Sequence, residues 1–168
     1  MGRCLIVANQ TLGGAALDRA VRDCIHRGLD EFYVVVPRTK VRDEVAAWAG
    51  GFGVYEGMAP DHIITITEEA ARDHEAALAE ARRRAQQRLE RMLEKIAADG
   101  GHVEGEVGID DPLQATEEVL ERRGGFDEII VSTLPPGLSR WVRMDVPHRI
   151  ARLTDVPVTT VEAEAEPA

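Results

Sequence analysis

The chain has 168 residues, of which 44% are hydrophobic and 30% charged, with a formal net charge of −10 at pH 7. That length and apolar content fit one globular domain with a sizeable core and exclude an intrinsically disordered chain. The acidic balance argues against general nucleic-acid or anionic-membrane binding and reads first as solubility, and no apolar run is long enough to span a bilayer.

The opening, MGRCLIVANQ, enters a strand at once. It has no signal-peptide h-region, and no Ser or Thr stands at the myristoylation position after Gly2. The expected compartment is the cytoplasm. Cys4 to Ala8 is an unbroken apolar run, as a central parallel strand requires. Asn9 to Gly14 is a polar turn. Ala16, Leu17, Ala20, Val21, Cys24 and Ile25 then recur at helical spacing, and Gly28 takes the usual place after a helix end. Cys4 and Cys24 lack a CxxC partner or metal-like spacing and read as buried, reduced packing residues. Glu31 to Val36 is a second buried strand, closed by Pro37. This β-α-β unit predicts a parallel sheet with right-handed crossovers.

Thr39 to Ala49 reads as a helix with Val41, Val45 and Trp48 on one face. Gly50 to Pro60 reads as a glycine-rich connector. Thr65-x-x-Glu68 is a capping-box pattern opening a long helix that ends at Gly100-Gly101. Its expected apolar stripe is Leu78, Ala81, Ala85, Leu89, Met92, Leu93 and Ile96. Arg82, Arg83, Arg84 and Arg88 read as a solvated face, with Glu80 four residues before Arg84. About 30 residues of helix span roughly 45 Å, more than a strand, so one end must overhang the sheet or break.

His102 to Ile109 alternates as a half-exposed edge strand does. Asp111-Pro112 starts a helix with proline at its first position, Leu113, Thr116, Val119 and Leu120 face inward, and Gly124-Gly125 ends it. Phe126 to Val131 and Val156 to Val161 read as two further buried parallel strands. Residues 1–162 are expected to form one domain, followed by a short acidic tail, 163–168.

Candidate site residues lie in two stretches. Gly137, Ser139, Arg140, Arg143, His148 and Arg149 fall between the last two strands, where a doubly wound sheet places its ligand. Their positive balance, with Arg152, reads either as an anion site or as surface arginines paired with Asp145 and Asp155. Asn9, Gln10, Thr11 and Gly13 precede a helix N-terminus, which favours anions but also needs capping. The five histidines have no HxH or HExxH spacing, so no metal site is expected. Neither a Gly-x-Ser-x-Gly elbow nor a Cys/His pair occurs, and no catalytic residue is assigned.

The element order, with LIVANQ, Asp111-Pro112, FDEIIVSTLPPGLSRWV carrying Gly137, Leu138, Ser139 and Arg140, then Arg149 and Asp155-Val156-Pro157-Val158, resembles the universal stress protein (UspA-like) family from about Arg3 to Val161. The resemblance implies a Rossmann-like, adenine nucleotide alpha hydrolase-like α/β fold. Its doubly wound parallel sheet would have five strands in the order 3-2-1-4-5. It also implies a homodimer, often through the last strand, here Val156 to Val161. The implied ligand crevice comprises Ala8, Asn9, Gln10, Thr11, Gly13, Val35, Ser132, Thr133, Gly137, Ser139, Arg140, Asp145 and His148.

The departures from the family bear on function. Members that bind ATP look like G-x2-G-x9-G-[ST] in this loop, and Ser132 to Asp145 lacks that pattern. Met144 stands where a phosphate-contacting glycine would be and Asp145 where the hydroxyl residue would be. Asn9 or Gln10 replaces the aspartate closing the first strand, and Pro135 and Pro136 fill a stretch otherwise rich in glycine. A phosphate cradle needs close backbone N–H groups, which glycine permits and proline removes. An ionised Asp145 would repel the anion. The leading expectation is a dimeric, non-catalytic stress-response, sensing or interaction module that has lost this motif and needs no cofactor. The alternative is a nucleotide-binding member with an altered loop, ATP with Mg²⁺ and weak hydrolysis. A third reading is an unrelated Rossmann-like enzyme that handles an anion with Arg140 and His148.

Overall fold

The computed structural model describes residues 2–8, 14–38, 60–133 and 145–163. Along the chain these form β1 (Gly2–Val7), α1 (Ala15–His26), β2 (Leu29–Pro37), α2 (Pro60–Ala98), β3 (His102–Gly108), α3 (Pro112–Arg123), β4 (Glu128–Thr133), α4 (Val146–Leu153) and β5 (Val158–Glu162). The five strands make one sheet in the order β3-β2-β1-β4-β5, and every pairing is parallel. The expected fold class and strand order are those observed.

Alternation along the central strands builds two cores. Cys4, Ile6 and Ala8, with Phe32, Val34, Val36 and Ile130, face α1 and α2 through Leu17, Val21, Leu89, Met92 and Ile96. Leu5, Val7, Tyr33, Val35, Ile129 and Val131 face α3 and α4 through Ala115, Val119, Val146 and Ile150. Each fully buried Leu, Ile or Val contributes about 1.5–3 kcal/mol. The two-sided burial explains why β1, β2 and β4 are near-continuous apolar runs.

Local signals fix several ends. Gly28 has φ 89°, the left-handed backbone that glycine adopts after a helix; its N–H donates to Ile25 O at 3.1 Å. Asp111 Oδ1 accepts from Leu113 N at 2.9 Å and Gln114 N at 3.3 Å, and Pro112 holds the first helical position, as expected. Gly105 lets α2 lie against β3: an added Cβ would meet Leu89 Cδ1 at 2.6 Å and Val34 O at 2.7 Å.

Four expectations are corrected. The long helix begins at Pro60 and not near Thr65, since proline favours the first turn and Thr65-x-x-Glu68 lies inside it. Its 39 residues extend about 58 Å. Ala85, Leu89, Met92 and Ile96 are buried as expected, while Leu78, placed in the same stripe, is 40% exposed. β4 begins two residues later than expected, because Phe126 is buried in the core but precedes the ladder. β5 is a half-exposed edge strand, and its β-branched residues reflect strand propensity, not double-sided burial. The predicted helix Thr39 to Ala49 and the predicted connector up to residue 59 lie outside the described residues. Arg82, Arg83 and Arg84 are exposed as expected, whereas Arg88 is half-buried; Glu80 pairs with Arg83 at 2.7 Å and Arg84 at 3.1 Å, and these hold its carboxyl below the usual range.

Glu128 opens β4 beside Cys4 of β1. Its carboxylate takes Arg27 Nη2 at 2.9 Å and the Thr159 hydroxyl at 2.9 Å. One buried acid thereby ties the end of α1, β4 and β5 together.

Candidate site at the strand switch point

Crossovers through α1 and α2 build the sheet outward from β1 to β3. Those through α3 and α4 build it back past β1 to β5. With right-handed crossovers, the two pairs must cover opposite faces, and they do. β1 and β4 are therefore neighbours whose following helices leave to opposite sides. The crevice beyond their carboxyl ends is the place a doubly wound sheet reserves for ligands.

Four of the expected ligand residues line the strand ends there. Val7 pairs with Val35 on one side and Val131 on the other. Ala8 follows, with no solvent exposure, its N–H donating to Val35 O at 3.3 Å. Ser132 and Thr133 finish β4 and are buried, set against Val161 and Glu162 of β5. The Thr133 hydroxyl has no hydrogen-bond partner among the described residues. A buried hydroxyl of this kind costs about 1–3 kcal/mol unless something satisfies it.

Asp145 and His148 come together at the start of α4. Asp145 is the N-cap residue, with φ 55° and ψ 38° and no side-chain capping bond. Its Oδ1 lies 2.5 Å from His148 Nδ1, and both side chains are exposed. The arginine partner considered for Asp145 is thus replaced, among the described residues, by His148. A carboxylate at this end of a helix interacts favourably with the free amides, and an incoming phosphate would compete with it. Asn9, Gln10, Thr11, Gly13, Gly137, Ser139 and Arg140 lie outside the described residues. Among the described residues, no three His, Cys, Asp or Glu side chains cluster as a metal site would require, and no helix is long and apolar enough to cross a membrane.

Two other clefts were not expected. One, of about 420 Å³, lies at the amino ends of β2 and β3 between Arg3, Tyr33, Glu104, Arg123 and Phe126. Arg123 stacks 4.3 Å from the Tyr33 ring centre and Arg3 5.3 Å from that of Phe126. Burial, then Glu106, pushes the Tyr33 phenol up. The arginines there already hold Glu31 at 3.2 Å and Glu104 at 2.8 Å, which makes the cleft a closed set of internal pairs. The other, of about 560 Å³, borders the outer edge of β3 near Arg38, Gln86 and Gly108. Arg38 Nε donates to Gly108 O at 3.2 Å, and Arg122 pairs with Glu106. Neither cleft includes any of the expected ligand residues.

Among solved structures, the chain is similar to a universal stress protein in complex with cAMP, at 15% identity over 97% of this chain and 98% of that one, TM-score 0.56. It is similar to the universal stress protein UspA from Lactobacillus plantarum, at 12% identity over 95% and 97%, TM-score 0.55. It is also similar to a universal stress protein family protein from Arabidopsis thaliana with AMP bound, at 13% identity over 99% and 94%, TM-score 0.53. Identities this low establish a shared fold. No protein-family model matches the sequence, and no curated protein matches it.

Proposed function

We propose that this chain is a universal-stress-protein-like sensing or interaction module whose crevice takes an adenine nucleotide carrying a single phosphate. The observation that carries this is the meeting of Ala8, Val35, Ser132 and Thr133 at the β1/β4 switch point, with buried polar groups at the end of β4. The similar structures with cAMP and AMP bound support the ligand class by analogy of fold. The sequence argues for one phosphate over three. Pro135 and Pro136 have no amide N–H to donate, Met144 stands in the sequence where a glycine would permit close approach, and the charge of Asp145 opposes a long polyanion. On this reading binding needs no metal and no hydrolysis follows.

The proposed dimer uses the outer edge of β5. That edge has no strand partner among the described residues, and an unpaired edge is a template for a second copy.

The test is a thermal-shift titration with AMP, cAMP and ATP, each with and without Mg²⁺. At a hundredfold excess over Kd, ligand raises stability by about 2.7 kcal/mol, or roughly 5–10 °C for a domain of this size. AMP or cAMP should reach that shift and ATP should fall short of it. A larger shift with ATP would restore the triphosphate reading; no shift with any of the three would remove nucleotide binding.

A further inference from the structure

β3 closes one end of the sheet, and among the described residues no strand pairs with its outer edge. No residue of this strand is fully buried. The cleft of about 560 Å³ lies along its last residues, with Arg82 and Gln86 of α2 on one wall and Glu118 and Arg122 of α3 on the other. Carbonyls alternate in direction along an extended strand. Ile109 O turns toward β2, accepting from Arg38 N at 3.1 Å, so Gly108 O, one residue earlier, faces outward. It accepts from Arg38 Nε at 3.2 Å. The N–H and C=O of one residue point the same way, and Glu106 repeats the direction of Gly108. Both residues therefore offer main-chain groups to the cleft, and a side chain covers one of them. The two walls differ in charge. Glu80 goes to Arg83 and Arg84, which leaves Arg82 with no ion pair among the described residues, and Arg38 bonds a neutral carbonyl. On α3, Arg122 pairs with Glu106 and has Glu118 one turn before it on the same helix face. The α2 wall and the mouth of the cleft thus carry two uncompensated cations in a chain of net charge −10.

We propose that the outer edge of β3 receives an extended acidic segment of a partner protein as an added strand. In this mode main-chain bonds give affinity and side chains at alternate positions give specificity. The main-chain bonds run to Glu106 and Gly108. Alternate residues of the added strand point to opposite faces, so one set meets Arg82 and the other meets the Glu118–Arg122 wall. The segment that fits has Glu or Asp at every second position and small neutral residues between them. On binding, Arg38 yields Gly108 O to an amide of the segment and turns to its carboxylates. An open edge is a hazard when empty, and Arg38 on Gly108 O blunts it. β2 separates this edge from the β1/β4 crevice, so the proposal stands or falls apart from nucleotide binding.

The test is fluorescence anisotropy of the whole protein with three fluorescein-labelled peptides, followed to about 1 mM, the weak end of specific recognition. TETETET carries the acidic alternation. TKTKTKT reverses its charge. TEPPETE keeps its charge, but two adjacent prolines remove amide donors on both edges of the strand. TETETET should bind saturably and the other two at least about tenfold more weakly. During its titration the largest ¹H–¹⁵N shifts should fall at the amides of Glu106 and Gly108. Arg82→Glu, on the exposed side of α2 and checked as folded by circular dichroism, turns an attraction into a repulsion. It should weaken TETETET about tenfold or more and strengthen TKTKTKT. No binding of TETETET, equal binding of TEPPETE, or an Arg82→Glu variant that binds TETETET unchanged would each overturn the proposal. So would shifts at Glu106 and Gly108 that grow with protein concentration alone, which would give the edge to a second copy of this chain.

Discussion

Arg27→Gln tests the clamp that joins α1 to the far side of the sheet. The Glu128 side chain is 10% exposed and the Arg27 side chain 50%. Removing one partner from a fully buried ion pair costs about 3–5 kcal/mol, because the remaining charge stays buried. Two features lower that figure here. Arg27 is half in water, and the Thr159 hydroxyl still donates to Glu128 at 2.9 Å. A loss of about 2–3 kcal/mol remains, close to one charge-assisted hydrogen bond plus part of a desolvation penalty. For a domain of this size that lowers Tm by roughly 5–10 °C. Urea unfolding followed by circular dichroism reads the change. The double variant Arg27→Gln, Glu128→Gln leaves no stranded charge and should recover at least half of the loss. A single variant within about 0.5 kcal/mol of wild type, or a double variant less stable than the single, would refute the reasoning.

Asp145→Asn keeps a residue that tolerates the left-handed backbone at φ 55° and removes its charge. Lifting that repulsion is worth about 1 kcal/mol at 4 Å with water-like screening and more with less, so calorimetry should find AMP bound at least about fivefold tighter; unchanged affinity would place the phosphate elsewhere. Gly105→Ala forces a Cβ to 2.7 Å from Val34 O, a ladder carbonyl with little room to move, and should cost about 1–3 kcal/mol in urea unfolding. A neutral result would mean that α2 is not held against β3 there. Thr160→Lys puts a charge on exposed β5 and should shift the sedimentation of the protein from dimer to monomer; an unmoved dimer would rule out the β5 edge.

Much of the architecture was legible because its causes are local. Cys4 to Ala8 and Glu31 to Val36 are apolar throughout because helices cover both faces. Asp111-Pro112 marks a helix start through its own side-chain bonds. The positions of Ala8, Ser132 and Thr133 at neighbouring strand ends were legible too, since they follow from strand order alone. Two kinds of feature were not. Phe126 and Val156 looked like strand residues because side-chain apolarity does not reveal where a ladder begins. Arg27 and Glu128 lie far apart in the chain and become neighbours only after the crossovers close.

The most direct test of the nucleotide crevice is ¹H–¹⁵N chemical-shift mapping during an AMP titration. The account predicts the largest saturable shifts at the amides of Ala8, Ser132 and Thr133. Largest shifts at the Tyr33–Arg123 cleft or along the outer edge of β3, or none at all, would contradict it.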